Sequence, residues 1–121
     1  MSELSGLRVL VVEDEGVVAL LIEDMLEDLG CQVVGSVASL AKAIEAAATE
    51  TFDVAMLDVN LDGEKVFPVA EVLMGRQVPF LFSTGYGRLG VPDTFKAYQV
   101  LNKPFAKEEL EQKLRTVLRN R

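Results

Sequence analysis

A chain of 121 residues, half of them apolar and about a quarter charged, can bury one core and is too short for several. Its net charge of −7 speaks against nucleic-acid binding by the chain itself, since phosphates need a basic patch. The absence of histidine removes the commonest zinc ligand and the usual general base, so chemistry must come from carboxylates, lysine, hydroxyls or a hard cation.

Cys31 is the single cysteine, so no internal disulfide can form; it reads as a small apolar residue at the start of a strand. No apolar run approaches the ~20 residues that span a bilayer, and no secretion signal opens the chain. The expected location is cytoplasmic, with no membrane partner. One domain over residues 1–121 is expected.

In chain order, strand and helix patterns alternate five times. Leu7 to Val12 is a nearly continuous apolar run, the mark of a strand covered on both faces in a parallel sheet. Val18, Leu21, Ile22, Met25 and Leu29 then trace one helical face, with Gly30 at its C-terminus. Gln32 to Ser36 is a second strand. Ser39 N-caps a second helix that turns Leu40, Ala43, Ile44 and Ala47 inward. Phe52 to Leu57 is a third strand ending at Asp58. A third helix is expected from near Glu64 to about Met74, with Gly75 behind it.

Pro79 to Phe82 opens a fourth strand that ends at Ser83 and Thr84, and Ala97 to Leu101 makes the fifth. Between them Gly85 to Lys96 holds three glycines and a proline, so any fourth helix there is short and weak. A last helix, about Lys107 to Leu118, buries Leu110, either Leu114 or the stem of Lys113, and Val117. Its acidic first turn and basic last turn suit the helix dipole.

Alternating strands and helices give an α/β fold, and right-handed crossovers place helices on both faces of a parallel sheet. The expected solution is a doubly wound, flavodoxin-like sheet of five strands in the order 2-1-3-4-5. Its ligand crevice lies beyond the carboxyl ends of strands one and three.

Residues with chemistry gather at that edge. Strand one ends at Glu13, Asp14 and Glu15, strand three at Asp58, strand four at Ser83 and Thr84, and strand five at Lys103 before Pro104. Crowded carboxylates require a shared proton or a cation. Oxygen ligands alone call for a hard ion, Mg²⁺ first and Mn²⁺ or Ca²⁺ next. A carboxylate beside such an ion, a lysine and a threonine hydroxyl suits phosphoryl transfer, with aspartate as nucleophile. Each piece alone has an ordinary reading: acidic runs are often solvated loops, and lone Asp, Thr or Lys residues commonly serve turns and strand exits. The signal is the combination, each type at the end of a different strand.

VVEDE, MLDVN around Asp58, FSTGYG and NKPF, in that order, resemble the four motifs of response-regulator receiver domains, over Leu7 to about Leu118. PFLFSTGYG further resembles a stand-alone subgroup named for a Phe-Ala-Thr-Gly-X-Tyr motif, with Ser83 in the Ala position. The resemblance implies a two-component signalling switch rather than an enzyme, catalysing only its own phosphorylation and dephosphorylation. It implies that Asp58 accepts the phosphoryl group and that Asp14 binds Mg²⁺, with Glu13 beside it and the Asn60 backbone carbonyl as a further ligand. Thr84 would bond the phosphoryl group, Lys103 would pair with it, and the Lys103-Pro104 bond would be cis.

The implied donor is a phosphohistidine of a histidine kinase or phosphotransfer protein. The chain departs from the pattern at Glu13, where Asp is commoner, at Val100, where an aromatic switch residue is expected, and after Asp58, where Asn60-Leu61-Asp62-Gly63 replaces a loop that often holds proline. Tyr86 and Tyr98 are the nearby aromatic substitutes.

Output would leave through a protein–protein surface to an unidentified partner, or the domain would serve as a phosphate sink or relay. The alternative is a receiver detached from a hybrid histidine kinase. A monomer or weak dimer is expected. An aspartyl phosphatase would want a second Asp where Asn60 stands, and a flavodoxin's phosphate would be repelled by Glu13-Asp14-Glu15.

Overall fold

The computed structural model describes residues 3–119. Five strands, β1 (Arg8–Val12), β2 (Gln32–Val37), β3 (Val54–Asp58), β6 (Phe80–Thr84) and β7 (Val100–Asn102), form one parallel sheet in the order β2-β1-β3-β6-β7. This is the expected 2-1-3-4-5 arrangement. β3 and β6 are buried at every position and β1 at all but its first, because helices cover both faces.

The sheet divides two apolar layers. One packs α2 (Leu40–Thr49) and α3 (Phe67–Arg76) on Leu10, Leu57, Phe80 and Phe82. The other packs α1 (Gly16–Asp28) and α4 (Lys107–Arg119) on Val9, Val11, Met56 and Leu81. The Ser39 cap is present, its hydroxyl accepting from the Lys42 N–H at 3.3 Å. Gly30 takes φ +90° after α1, as a helix exit requires. Among the described residues no helix is long and apolar enough to cross a membrane.

The fifth strand starts at Val100, not at Ala97, which lies in a turn, and three further expectations need correction. Leu21 does not face the core: α1 buries Ala19, Ile22 and Leu26, and Leu21 joins Val17 and Leu20 on an exposed face. The third helix does not start near Glu64. Asn60–Leu61 (β4) and Glu64–Lys65 (β5) pair as an antiparallel hairpin, and α3 begins only at Phe67, with Pro68 in its first turn. The turn residues Asp62 (φ 52°) and Gly63 (φ 87°) both lie in the left-handed region, the geometry that Asp-Gly favours in two-residue hairpins.

Third, Gly75 lies inside α3, not behind it, and Gln77 takes the left-handed exit position at φ 61°. A side chain in that conformation costs about 1 kcal/mol or more against glycine. Gln77→Gly is therefore expected to raise the unfolding free energy by roughly 0.5–1 kcal/mol, read from urea titrations followed by circular dichroism.

The Gly85 to Lys96 segment forms two 3₁₀ turns, Gly87–Gly90 and Asp93–Phe95, in place of a helix. Its buried anchor is Phe95, which stacks on Phe67 at 5.4 Å and meets Phe82 edge-on at 5.5 Å. The Arg88 guanidinium also donates to the Tyr98 carbonyl.

Candidate functional site

Register builds the site. β1 and β3 run parallel with Val12 opposite Leu57, so Glu13 and Asp14 leave the sheet beside Asp58. Asp58 lies opposite Ser83, and Thr84 opposite Asn102, so Thr84 and Lys103 follow on the next two strands. The Lys103 N–H donates to the Thr84 carbonyl at 2.9 Å, and the Lys103-Pro104 bond is cis. All six residues singled out from the sequence thus lie at one edge, and Asp14, Asp58, Asn60, Thr84 and Lys103 line a cavity of about 380 Å³.

Glu13 lies deeper, its side chain wholly buried. Lys103 Nζ sits 2.7 Å from Glu13 Oε1 and 3.2 Å from Asp58 Oδ2, one ammonium between two carboxylates. Glu13 Oε2 also accepts from the Glu15 N–H at 3.3 Å. Asp58 Oδ1 accepts from the Asn60 N–H at 3.3 Å, and Asp14 Oδ2 from the Asp62 N–H at 2.9 Å.

Electrostatics sorts the three acids. Burial, then the Glu13 charge, pushes the Asp58 carboxyl up to about 7, against the pull of Lys103. Burial also acts upward on Asp14, but its hydrogen bonds with the Asp58 side chain and the Asp62 backbone hold it below the ordinary carboxylate range. Asp58 is thus driven towards its protonated form and Asp14 towards its carboxylate. Lys103 loses by burial and regains more from Glu13 and Asp58, so it stays charged, its pKa above the usual lysine value.

The donor set fits a hard divalent cation. Glu13, Asp14 and Asp58 each offer one oxygen, all within 4.8 Å of one another, with no nitrogen or sulfur ligand in the cluster. Burial first, and the neighbouring Glu13 charge second, disfavour the Asp58 carboxylate, and a cation held by these oxygens would offset both.

Thr84 is buried, and its hydroxyl oxygen accepts from the Tyr86 N–H at 3.1 Å. Gly90 borders the same cavity: a Cβ there would stand 3.7 Å from Thr84 Oγ1. Tyr86 itself points outward, 75% exposed, whereas Tyr98 stacks on Phe80 at 4.3 Å. Val100 is buried in the core. A larger cavity of about 760 Å³, lined by Met74, Val78, Phe80, Tyr98 and Val117 among others, has no acidic or basic lining residue.

The model of the response regulator receiver domain matches residues 9–115. The chain belongs to this family. The solution structure of SdrG from Sphingomonas melonis Fr1 is 40% identical, with a TM-score of 0.84, and the alignment covers 98% of this chain and 99% of that one. The BeF₃-activated conformation of SdrG from Pseudomonas melonis Fr1 is also 40% identical, and the alignment covers 94% of this chain and 98% of that one, with a TM-score of 0.80.

The receiver domain of the sensor histidine kinase PA1611 from Pseudomonas aeruginosa PAO1, with magnesium in its active-site cleft, is 26% identical over 94% of this chain and 98% of that one, with a TM-score of 0.77. No curated protein matches the sequence.

One charged lining residue of this receiver domain went unread in the sequence. Lys65 reaches the cavity from the β4–β5 hairpin, opposite Asn60. The Asp62-Gly63 dipeptide was the signal for that hairpin, hidden by a helical reading of the same stretch.

Proposed function

We propose that this receiver domain is a phosphorylation-activated switch whose acceptor is Asp58. The observation that carries it is the geometry at Asp58: a buried carboxylate 3.2 Å from a lysine ammonium, within one cavity with Asp14 and the Thr84 hydroxyl.

Asp14, Asp58 and the Asn60 backbone carbonyl would hold Mg²⁺, with Glu13 beside them. The cation supplies charge neutralisation at the phosphoryl oxygens. An Asp58 carboxylate oxygen bonds to phosphorus as the P–N bond of a phosphohistidine breaks. The imidazole leaves with the electron pair and takes up a proton. Lys103, already beside Asp58 Oδ2, offsets the added negative charge. Thr84 accepts from Tyr86 and donates to no other described residue, so its proton is free for a phosphoryl oxygen.

The donor is the phosphohistidine of a histidine kinase or phosphotransfer protein. A protein donor is supported by the apolar face of α1, where Val17, Leu20 and Leu21 are exposed on the helix that leaves the cavity edge directly. The chain acts as a signalling phosphoacceptor, and its output is a change in affinity for a protein partner.

The readout runs through the Gly85 to Lys96 segment. Tyr86 donates to Thr84 at one end and Phe95 is seated in the core at the other, with short 3₁₀ turns between. A phosphoryl group that recruits Thr84 pulls on the near end while the far end is held. Beryllofluoride with Mg²⁺ is expected to slow amide exchange in residues 84–96 of the wild type and to change nothing in Asp58→Asn, as read by hydrogen-exchange mass spectrometry. Unchanged exchange in the wild type contradicts this route.

A further inference from the structure

The cavity around Asp58 is short of positive charge for the anion it must receive. Asp14, Glu15 and Asp58 line it and Glu13 lies just beneath. Lys103 is committed to Glu13 at 2.7 Å and Asp58 at 3.2 Å. The side chains alone, before a cation is counted, present net negative charge to an incoming phosphodonor, itself an anion.

Lys65 is the other cation lining this cavity. Its side chain is exposed and forms no ion pair among the described residues, although four carboxylates lie at the same site. Its backbone is held firmly. Lys65 stands directly across β4–β5 from Asn60, whose N–H is bonded to Asp58 Oδ1. The hairpin tip is tied to Asp14 through the Asp62 N–H at 2.9 Å. Leu61 and Val66 anchor the hairpin in the core. A free ammonium on a fixed base thus overlooks the acceptor.

We propose that Lys65 is a donor-binding residue of this site: its ammonium meets the anionic oxygens of the incoming phosphodonor at the cavity mouth. The proposal rests on the reading of Asp58 as the acceptor. With acetyl phosphate as donor, an Asp58 oxygen bonds to phosphorus, the P–O bond to the acyl group breaks, and acetate leaves with the electron pair. Lys65 stays protonated throughout and acts by charge alone.

A charge acting across an open mouth has three signatures. It speeds reaction with an anion, it opposes a cation in the same cavity, and salt weakens it. A merely structural lysine has none of them, because a loosened hairpin would weaken anion and cation together.

The test compares wild type, Lys65→Gln and Lys65→Arg. Phosphorylation by acetyl phosphate at saturating Mg²⁺ is followed by intact mass over time, and Mg²⁺ affinity is measured separately by NMR titration. Lys65→Gln is expected to slow phosphorylation about three- to ten-fold at low salt, a gap that closes towards about 0.5 M salt, while binding Mg²⁺ more tightly. Lys65→Arg keeps the charge and is expected to restore both. A Lys65→Gln rate equal to wild type at low salt, or a Mg²⁺ affinity that falls together with the rate, overturns the role of Lys65 alone. A wild-type chain that never gains a phosphoryl group overturns the reading of Asp58, and this proposal with it.

Discussion

Lys103→Ala is expected to lower the unfolding free energy by about 3–5 kcal/mol at neutral pH, because it strips the one cation from two buried carboxylates. The Glu13 side chain has no exposure and that of Asp58 only 8%, so water cannot take over what the ammonium does at 2.7 and 3.2 Å. Protonation of Asp58 limits the damage, and the deficit should shrink as the pH falls and Asp58 discharges. Denaturant titrations of wild type and variant, followed by circular dichroism, measure the difference. A variant within about 1 kcal/mol of wild type at neutral pH would show that the pair is solvated, as exposed ion pairs are.

The second large effect is a pH dependence centred on Asp58. Its carboxyl titrates near 3.8 when unfolded and near 7 in the fold, so the native state binds the extra proton between those values. A raised carboxyl contributes stability that is complete below the unfolded value and lost as pH rises through the folded one. In metal-free buffer the wild type is expected to lose on the order of 2–4 kcal/mol, relative to Asp58→Asn, as the pH climbs from about 4 to about 7. Mg²⁺ should recover most of this at the alkaline end and little at the acid end, since it competes with the proton. Parallel pH profiles for wild type and Asp58→Asn would show that Asp58 ionises as a solvated aspartate does.

The legible parts of this molecule are those where local pattern and global position agree. β1, β3 and β6 read as strands because covered strands need unbroken apolar runs. Once the parallel order follows from the alternation, Glu13, Asp14, Asp58, Thr84 and Lys103 must share an edge, because each is the first polar residue past its strand or lies near it. The weak fourth helix was legible for the opposite reason: glycines and a proline deny it a regular hydrogen-bond ladder, and two 3₁₀ turns are what remains.

The misread parts are those where two patterns compete. Glu64 to Met74 has helical spacing, but Asp62-Gly63 closes a hairpin first and delays α3 to Phe67. That delay carries Lys65 from a helix surface to the cavity wall. Leu21 fits a helical stripe with Val18 and Met25, yet the sheet meets α1 along Ala19, Ile22 and Leu26, where a small residue allows close approach. The sinking of Glu13 beneath its neighbours depends on Lys103, ninety residues on, and no local pattern encodes it.

The acceptor itself is tested most directly by intact mass after incubation with acetyl phosphate and Mg²⁺. The account predicts that the wild-type chain gains a single phosphoryl group and that Asp58→Asn gains none. A wild-type chain that stays unmodified, with a cognate kinase as with acetyl phosphate, or an Asp58→Asn chain that gains the group as readily, would contradict it.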